Sequence, residues 1–571
     1  MRPFSRPDLV LLHPPSVYDF RQVLTVPSPI ADLIPSGPHF EMYPVGFSFL
    51  GEYLERNGVN VRVVNLAGRM LADPGFDAGA FLAKLRPLAF GVSFHWLPHA
   101  HGAIEVARLC KRLHPDVPVI MGGYSSTLFS HELMEYPEVD FILGGDSTEE
   151  PLLRLMECIA AGEEPHAIPN LTYRSRDGRV IENPISYVPA DLDHLGENYR
   201  YMLRSAVKYG DIRGLRAFKD WWSYPLTAVM TCRGCSRDCT FCGGSAWSMR
   251  RCFARERPAF RAPGEVARDV ETISRFTGAP IFVVGDLRQN GDEYAREVLD
   301  RLVRVSPRNH VVLELFEPAP LWFFRSAAGL PNFDLEISPE SHDEEIRRAV
   351  GKRYTNEELE LSIESALESG CAKVDVFFMI GLPRQTPASV METVAWCARL
   401  LEDFGPGVNP LIGPLAPFLD PGSIAHENPT RNGYRLLFRS LDDYRNALLE
   451  PHWRDMLSYE TEWMSRQEIV DATYAAALEL NRVKRERGRT PPVLAGMIDR
   501  YIRDGMELLS RLDRAQAEGD AVVRERHLAG IAGEARSLHA RSAHVKEELK
   551  WPIEGKRFRY GNILRLIVGG R

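Results

Sequence analysis

The sequence predicts an α/β fold with an N-terminal Rossmann-like domain, a parallel (β/α)6 partial barrel and a helical C-terminal domain. Three observations carry this reading. The chain has 571 residues, enough for three or four domains at about 100–200 residues each. Short apolar segments alternate with helical ones in two separate series. Beyond about residue 425 the strand-like segments stop. The composition, 44% hydrophobic and 26% charged, argues against wholesale disorder.

The first series fills residues 1–165. Segments 8–14, 59–67, 88–94, 117–123 and 139–145 are short and rich in Val, Ile, Leu and Phe, without polar alternation. Strands buried on both faces of a parallel sheet have this character. Segments 46–58, 103–115 and 148–162 carry helical spacing between them, so a doubly wound domain is expected. Residues 166–222 read as a connector holding one hairpin, 171–184, with Asp177-Gly178 at its turn. The second series fills 223–425, with strands at 225–231, 279–285, 310–316, 333–337, 373–381 and 408–415. Helices such as 356–370 and 388–405 lie between them. Six such units predict a parallel barrel with ligands at the C-terminal strand ends. Residues 426–571 read as helical, most clearly over 464–488.

A net charge of −8 disfavours a dedicated nucleic-acid binder. No apolar run approaches the roughly 18–20 residues of a membrane span. The apolar stretch near the N-terminus is only LVLL before two prolines, which predicts a soluble, cytoplasmic protein. Of nine cysteines, five lie between Cys232 and Cys252. Cys110, Cys158, Cys371 and Cys397 read as small buried hydrophobes. One tight clump in an odd total fits a metal or cluster site in a reducing compartment better than a disulfide framework.

The clump reads Cys232-Arg-Gly-Cys235-Ser-Arg-Asp-Cys239-Thr-Phe-Cys242 and follows the first barrel strand. Two cofactor readings compete. Zinc modules normally separate their C-x2-C pairs by about 12–20 residues, and the three found here would strain a tetrahedral site. Alternatively, Cys235, Cys239 and Cys242 form C-x3-C-x2-C. Three thiolates on one loop can hold three irons of a cubane and leave the fourth open.

The second pattern, with Phe241 before the last cysteine, resembles the radical S-adenosylmethionine (SAM) superfamily. The resemblance implies a [4Fe-4S] cluster on Cys235, Cys239 and Cys242, with SAM beside it. Phe241 would lie against the adenine and Gly285-Asp286 near the methionine amine. Asp286 stands where that family has Glu. Glu340-Ser341 would approach the ribose, and Gly381, in the turn FFMIGLP (377–383), the adenine. LAPFLDPGS (415–423) is similar to the segment after the sixth strand. Cys232 and Cys252 fall outside the pattern. Glu314, Glu317 and Glu336 would approach the open iron if they point inward.

The N-terminal domain lacks G-x-G-x-x-G, which disfavours NAD or FAD. Gly122-Gly123 and Gly144-Gly145 end its fourth and fifth strands, where glycines admit a bulky ligand. Directly before such a barrel, this domain resembles the cobalamin-binding domain of the B12-dependent radical SAM class, over roughly residues 8–425. The resemblance implies cobalamin with its tail beside the glycine pairs. The Asp-x-His-x-x-Gly motif is absent, so no protein histidine below the cobalt is expected. Arg69, in the loop after the second strand, would lie against the lower corrin face. His95, His99 and His101 read as packing or corrin contacts.

The implied activity is methyl transfer from SAM, via cob(I)alamin and methylcobalamin, to a carbon of a small substrate. Length, the missing cobalt histidine and the helical C-terminal domain are most similar to the tryptophan 2-C-methyltransferases of thiopeptide (thiostrepton-type) antibiotic biosynthesis, which implies C2 of L-tryptophan. The alternatives are a radical C-methylase of an sp3 carbon or phosphinate, or a B12-dependent radical SAM cyclase. The expected partners are the small-molecule substrate and a reductant for cobalamin and cluster, with no nucleic acid or membrane and a monomeric state. No catalytic base is identified.

Overall fold

The computed structural model describes residues 6–26, 45–196, 198–211, 221–415, 417–541 and 550–568. The first strand series forms one seven-stranded sheet. Its parallel strands are Leu9–His13, Val61–Asn65, Ala89–Ser93, Val119–Gly122 and Phe141–Leu143. Leu9–His13 lies between the second and third strands, so the order reverses beside it. Doubly wound sheets of this order open a ligand crevice at that reversal, outside the carboxyl strand ends. The hairpin Leu171–Arg174 and Val180–Glu182 continues the sheet, its first strand pairing antiparallel with Phe141–Leu143.

Helices Gly46–Arg56, Ala100–Leu113 and Glu149–Ala161 cover this sheet. The last has Glu149 and Glu150 in its first turn and Gly162 left-handed at its end, both favourable for a helix. Ala100–Leu113 docks by backbone contact. Gly102 donates to the Ser16 carbonyl at 2.9 Å, and a Cβ there would lie 1.7 Å from the Pro15 carbonyl.

The second series forms a six-stranded parallel sheet in sequential order: Thr227–Met230, Ile281–Val284, Val311–Leu315, Phe333–Glu340, Val374–Ile380 and Val408–Pro414. Among the described residues the first and last strands do not pair, so the barrel is open. Phe333, Leu335 and Ile337 join the apolar core shared with the outer helices. Strand alternation then turns Asp334, Glu336 and Ser338 toward the lumen.

Two expectations need correction. The strands do not stop at 425, because Tyr434–Leu436 and Tyr459–Thr461 pair as an antiparallel ribbon. At three residues each, they are too short for a periodic signal. Arg69 is not in a loop: Val61–Asn65 runs directly into helix Leu66–Ala72, whose start Asn65 caps through Gly68 N–H. The connector adds helix Asn198–Lys208 to the expected hairpin. Helices Arg466–Glu486, Pro492–Gln516 and Ala521–Arg541 follow the ribbon.

The chain then returns to the barrel base. Glu554 N–H donates to the Gly278 carbonyl and Gly278 N–H to the Lys556 carbonyl, both near 3 Å. The Lys373 ammonium sits 4.7 Å from the Trp551 ring centre. Among the described residues no helix is long and apolar enough to cross a membrane.

Candidate functional site

The cysteine loop follows strand Thr227–Met230 at the carboxyl edge of the barrel sheet. Arg237 N–H donates to Cys235 Sγ and Gly244 N–H to Cys242 Sγ, each at 3.3 Å. Burial pushes the Cys235 thiol up to about 11 and also raises Cys239 and Cys242. Opposing this at Cys239 is the nearby Lys352 ammonium. Amide N–H groups and a fixed cation favour sulfur in its thiolate form.

The loop is held from two sides. Thr240 N–H donates to the Val350 carbonyl at 3.1 Å. Gly351 has φ +95°, and a Cβ there would meet the Asp238 carbonyl at 2.6 Å. After the sixth strand, Asp420 accepts from Gly243 N–H at 3.0 Å. Cys232 is nearly enclosed, and Gln289 Nε2 lies 3.8 Å from its sulfur while the Gln289 oxygen accepts from Ser236 N–H.

The residues expected around SAM fall at the same edge with different engagements. Phe241 is buried in the barrel core. Asp286 accepts from Arg288 and from Phe316 N–H, so an amine would compete with an existing ion pair. Glu314 accepts from Gly285 N–H at 2.6 Å. Glu340 pairs with Lys352 at 2.6 Å through one oxygen, while its other oxygen is buried without a hydrogen-bond partner among the described residues. Ser341 Oγ accepts from Asp343 N–H. Gly381, at φ +96°, approaches the Tyr459 hydroxyl so closely that a Cβ would fall 2.3 Å from it. Glu317 pairs with Arg237 at the surface.

A cavity of about 640 Å³ occupies the crevice of the first sheet. Gly122, Gly123 and Gly145 line it beside Phe47, Met121 and Leu143, whereas Gly144 and Arg69 do not. The Arg69 guanidinium pairs with Asp211 and stacks 4.7 Å from the Phe81 ring centre. His95 also lines the cavity, and the His13 and His99 rings lie within 6 Å of it. Burial holds His95 down to about 4 and lowers His13 and His99, so all three are neutral at pH 7. His101 accepts from Tyr18 N–H at 3.3 Å.

Cavity and cysteine loop meet at Arg233, the residue after Cys232. Arg233 lines the crevice and donates to Ser147 Oγ and Glu149, each at 3.0 Å. Burial alone would raise the Glu149 carboxyl, but Arg233 outweighs it and holds it well below the carboxylate range. A second buried arginine, Arg255, pairs with Asp146 and reaches Ser147. One loop of the first sheet is thus fastened by two arginines, Arg233 inside the cysteine loop and Arg255 beyond it. Neither was legible in the sequence, because their carboxylate partners lie about a hundred residues earlier and no local pattern connects them.

Residues 38–153 match the B12 binding domain and residues 229–397 the radical SAM superfamily. The chain thus carries a B12 binding domain followed by a radical SAM domain. Among its relatives is the hopanoid C-3 methylase of Methylococcus capsulatus, 25% identical over 49% of this chain and 50% of that one. The chain therefore spans about half the length of that relative. The cytidylyl-2-hydroxyethylphosphonate methyltransferase of Streptomyces wedmorensis is 20% identical over 60% and 69% of the two chains. Among solved structures, the radical SAM methyltransferase TsrM from Kitasatospora setae, with cobalamin and a [4Fe-4S] cluster bound, superposes with a TM-score of 0.59. It shares 16% identity, over 94% of this chain and all of that one.

The residues present fit the groups the two matched domains imply. The crevice is large, mostly apolar and glycine-floored. The thiols sit on one loop with amide donors at two sulfurs, and one Glu340 oxygen is buried without a hydrogen-bond partner among the described residues. Among the described residues, no three His, Cys, Asp or Glu side chains converge on one metal ion.

Proposed function

We propose that the protein is a methyltransferase that moves a methyl group from SAM to a carbon of a small substrate, and that the substrate is L-tryptophan, methylated at C2. The observation that carries the first part is the Arg233–Glu149 junction, which fixes the B12 crevice against the cysteine loop. Methyl donor, methyl carrier and acceptor can then share one enclosed space, where positioning lowers the barrier.

Cobalamin held in the crevice would supply a methyl carrier, and a cluster held by Cys235, Cys239 and Cys242 would supply a site for SAM and an electron. The protein's own residues bind and orient. Gly122, Gly123 and Gly145 admit the nucleotide tail of cobalamin, and the neutral His95 faces the same space. Phe241 and Gly381 bracket the adenine, and Glu340 with Ser341 meets the ribose. Gly285 and Asp286 border the methionine end, with Asp286 already paired to Arg288. Arg69, held by Asp211 and outside the crevice lining, is a fixed cation for the lower corrin face.

Tryptophan is supported by the likeness in fold to TsrM over nearly the whole chain, a protein also solved with tryptophan substrate and a SAM analogue bound. The sequence matches to a hopanoid and a phosphonate methylase favour a second reading, a radical methylase of an unreactive carbon. One experiment separates them. The reconstituted protein is incubated with SAM, methylcobalamin, reductant and L-tryptophan, and the products are quantified. Methyltryptophan with S-adenosylhomocysteine and without 5′-deoxyadenosine is expected. Stoichiometric 5′-deoxyadenosine favours the second reading, and failure to bind cobalamin removes both.

A further inference from the structure

Four neighbouring strands of the barrel carry polar side chains in one row. Glu314 is in register with Glu336, Glu336 with Asp375, and Asp375 with Asn409. Adjacent strands are about 4.8 Å apart, so three carboxyl groups stand side by side across the lumen. Above them lie the cysteine loop and the Glu340 turn. Below, Lys373 and the returning tail close the base.

The members of the row are unequally satisfied. Asp375 pairs with Lys373 at 2.9 Å and accepts from Asn409 at 2.7 Å, and Asn409 is held in turn by Lys484 at 3.0 Å. Glu314 accepts from Gly285 N–H. Glu336, between them, is surrounded by protein yet accepts no hydrogen bond and forms no ion pair within 4 Å among the described residues, and part of its surface opens to the lumen. Burial, then Asp375 and Glu314, push its carboxyl up to about 8, and Glu314 is raised as well. An unpaired buried carboxyl between two others is costly when ionised. Leucine would be cheaper there. A cation entering the lumen would remove the cost by pairing with the ionised Glu336 carboxyl, its proton leaving to water, with Glu314 beside it.

We infer that Glu336, with Glu314 beside it, receives an ammonium group of the substrate, which makes the acceptor an amine or amino acid and not a neutral lipid. The inference rests on the methyl-transfer reading only for placing the substrate at the barrel mouth. Glu336 is a specificity-determining residue in it, and the ammonium carries no part of the reacting bond.

The test is calorimetric, on cluster- and cobalamin-loaded protein, with L-tryptophan, tryptamine, 3-indolepropionate, L-phenylalanine and L-lysine as probes. Wild type should bind L-tryptophan and tryptamine at least tenfold more tightly than 3-indolepropionate. Glu336→Gln should lose that preference while iron content, cobalamin content and SAM affinity stay within twofold of wild type. If the preference appears on a non-indole amine, the tryptophan reading fails and the inference stands. If 3-indolepropionate binds as tightly as L-tryptophan while methyl transfer to tryptophan proceeds, the inference fails and the reading stands. No Glu336-dependent preference on any probe, or a fall in SAM affinity instead, overturns it. Should Glu336→Gln fold poorly, Glu336→Asp serves, with a smaller preference expected.

Discussion

Single side chains decide the chemistry of this molecule, and several act through partners far away in sequence. Serine at Cys235, Cys239 or Cys242 should remove most of the iron after anaerobic reconstitution, and wild-type iron in any one variant would take that residue out of the ligand set. Glu149→Ala leaves Arg233 buried beside the crevice without its counter-ion. Breaking a buried pair from one side costs about 3–5 kcal/mol, so both thermal stability and cobalamin affinity should fall. Glu336 gives a pH signature in the unloaded protein. Its carboxyl lies near 8 folded against an ordinary value of 4.5, so the folded state holds the proton more tightly. Stability is then full below about pH 4.5 and declines as pH rises toward 8, by up to about 1.4 kcal/mol per unit. Chemical denaturation at pH 5 and 8 should show a smaller difference in Glu336→Gln than in wild type.

At the scale of elements, the strands were legible because parallel sheets buried on both faces leave apolar runs. All five predicted strands of the first sheet and all six of the second are present. The alternating FDLEI was a further signal: polar residues at every second position of a barrel strand point at a lumen. What stayed hidden has physical reasons. The ribbon strands Tyr434–Leu436 and Tyr459–Thr461 are too short to show a period. The engagement of Asp286 by Arg288 and of Arg69 by Asp211 depends on side-chain reach, which strand and helix patterns do not encode. Close backbone approaches are equally silent in sequence. Gly351→Ala would force a methyl toward the Asp238 carbonyl at a left-handed φ. It should cost about 1–3 kcal/mol and lower cluster occupancy, measured as iron per chain.

The whole molecule is assembled from parts that close one another. Arg233 and Arg255 join the crevice domain to the barrel, and the ribbon and helices extend the barrel core. The C-terminal tail seals the base. Trp551→Ala should therefore destabilise by about 3–5 kcal/mol and lower the melting temperature although the residue lies far from the cysteine loop. An unchanged melting temperature would show the tail to be a bystander.

That returning tail also bears on synthesis. The sixth barrel strand ends at Pro414, but the residues that plug the base, Trp551 to Lys556, leave the ribosome long afterward. At about 5–20 residues per second, the interval is on the order of ten seconds. During it the lower mouth of the barrel, with Asp334, Lys373 and Asp375, stands open to water and to chaperones. The newborn protein thus spends its first seconds with a complete upper edge and an unfinished floor.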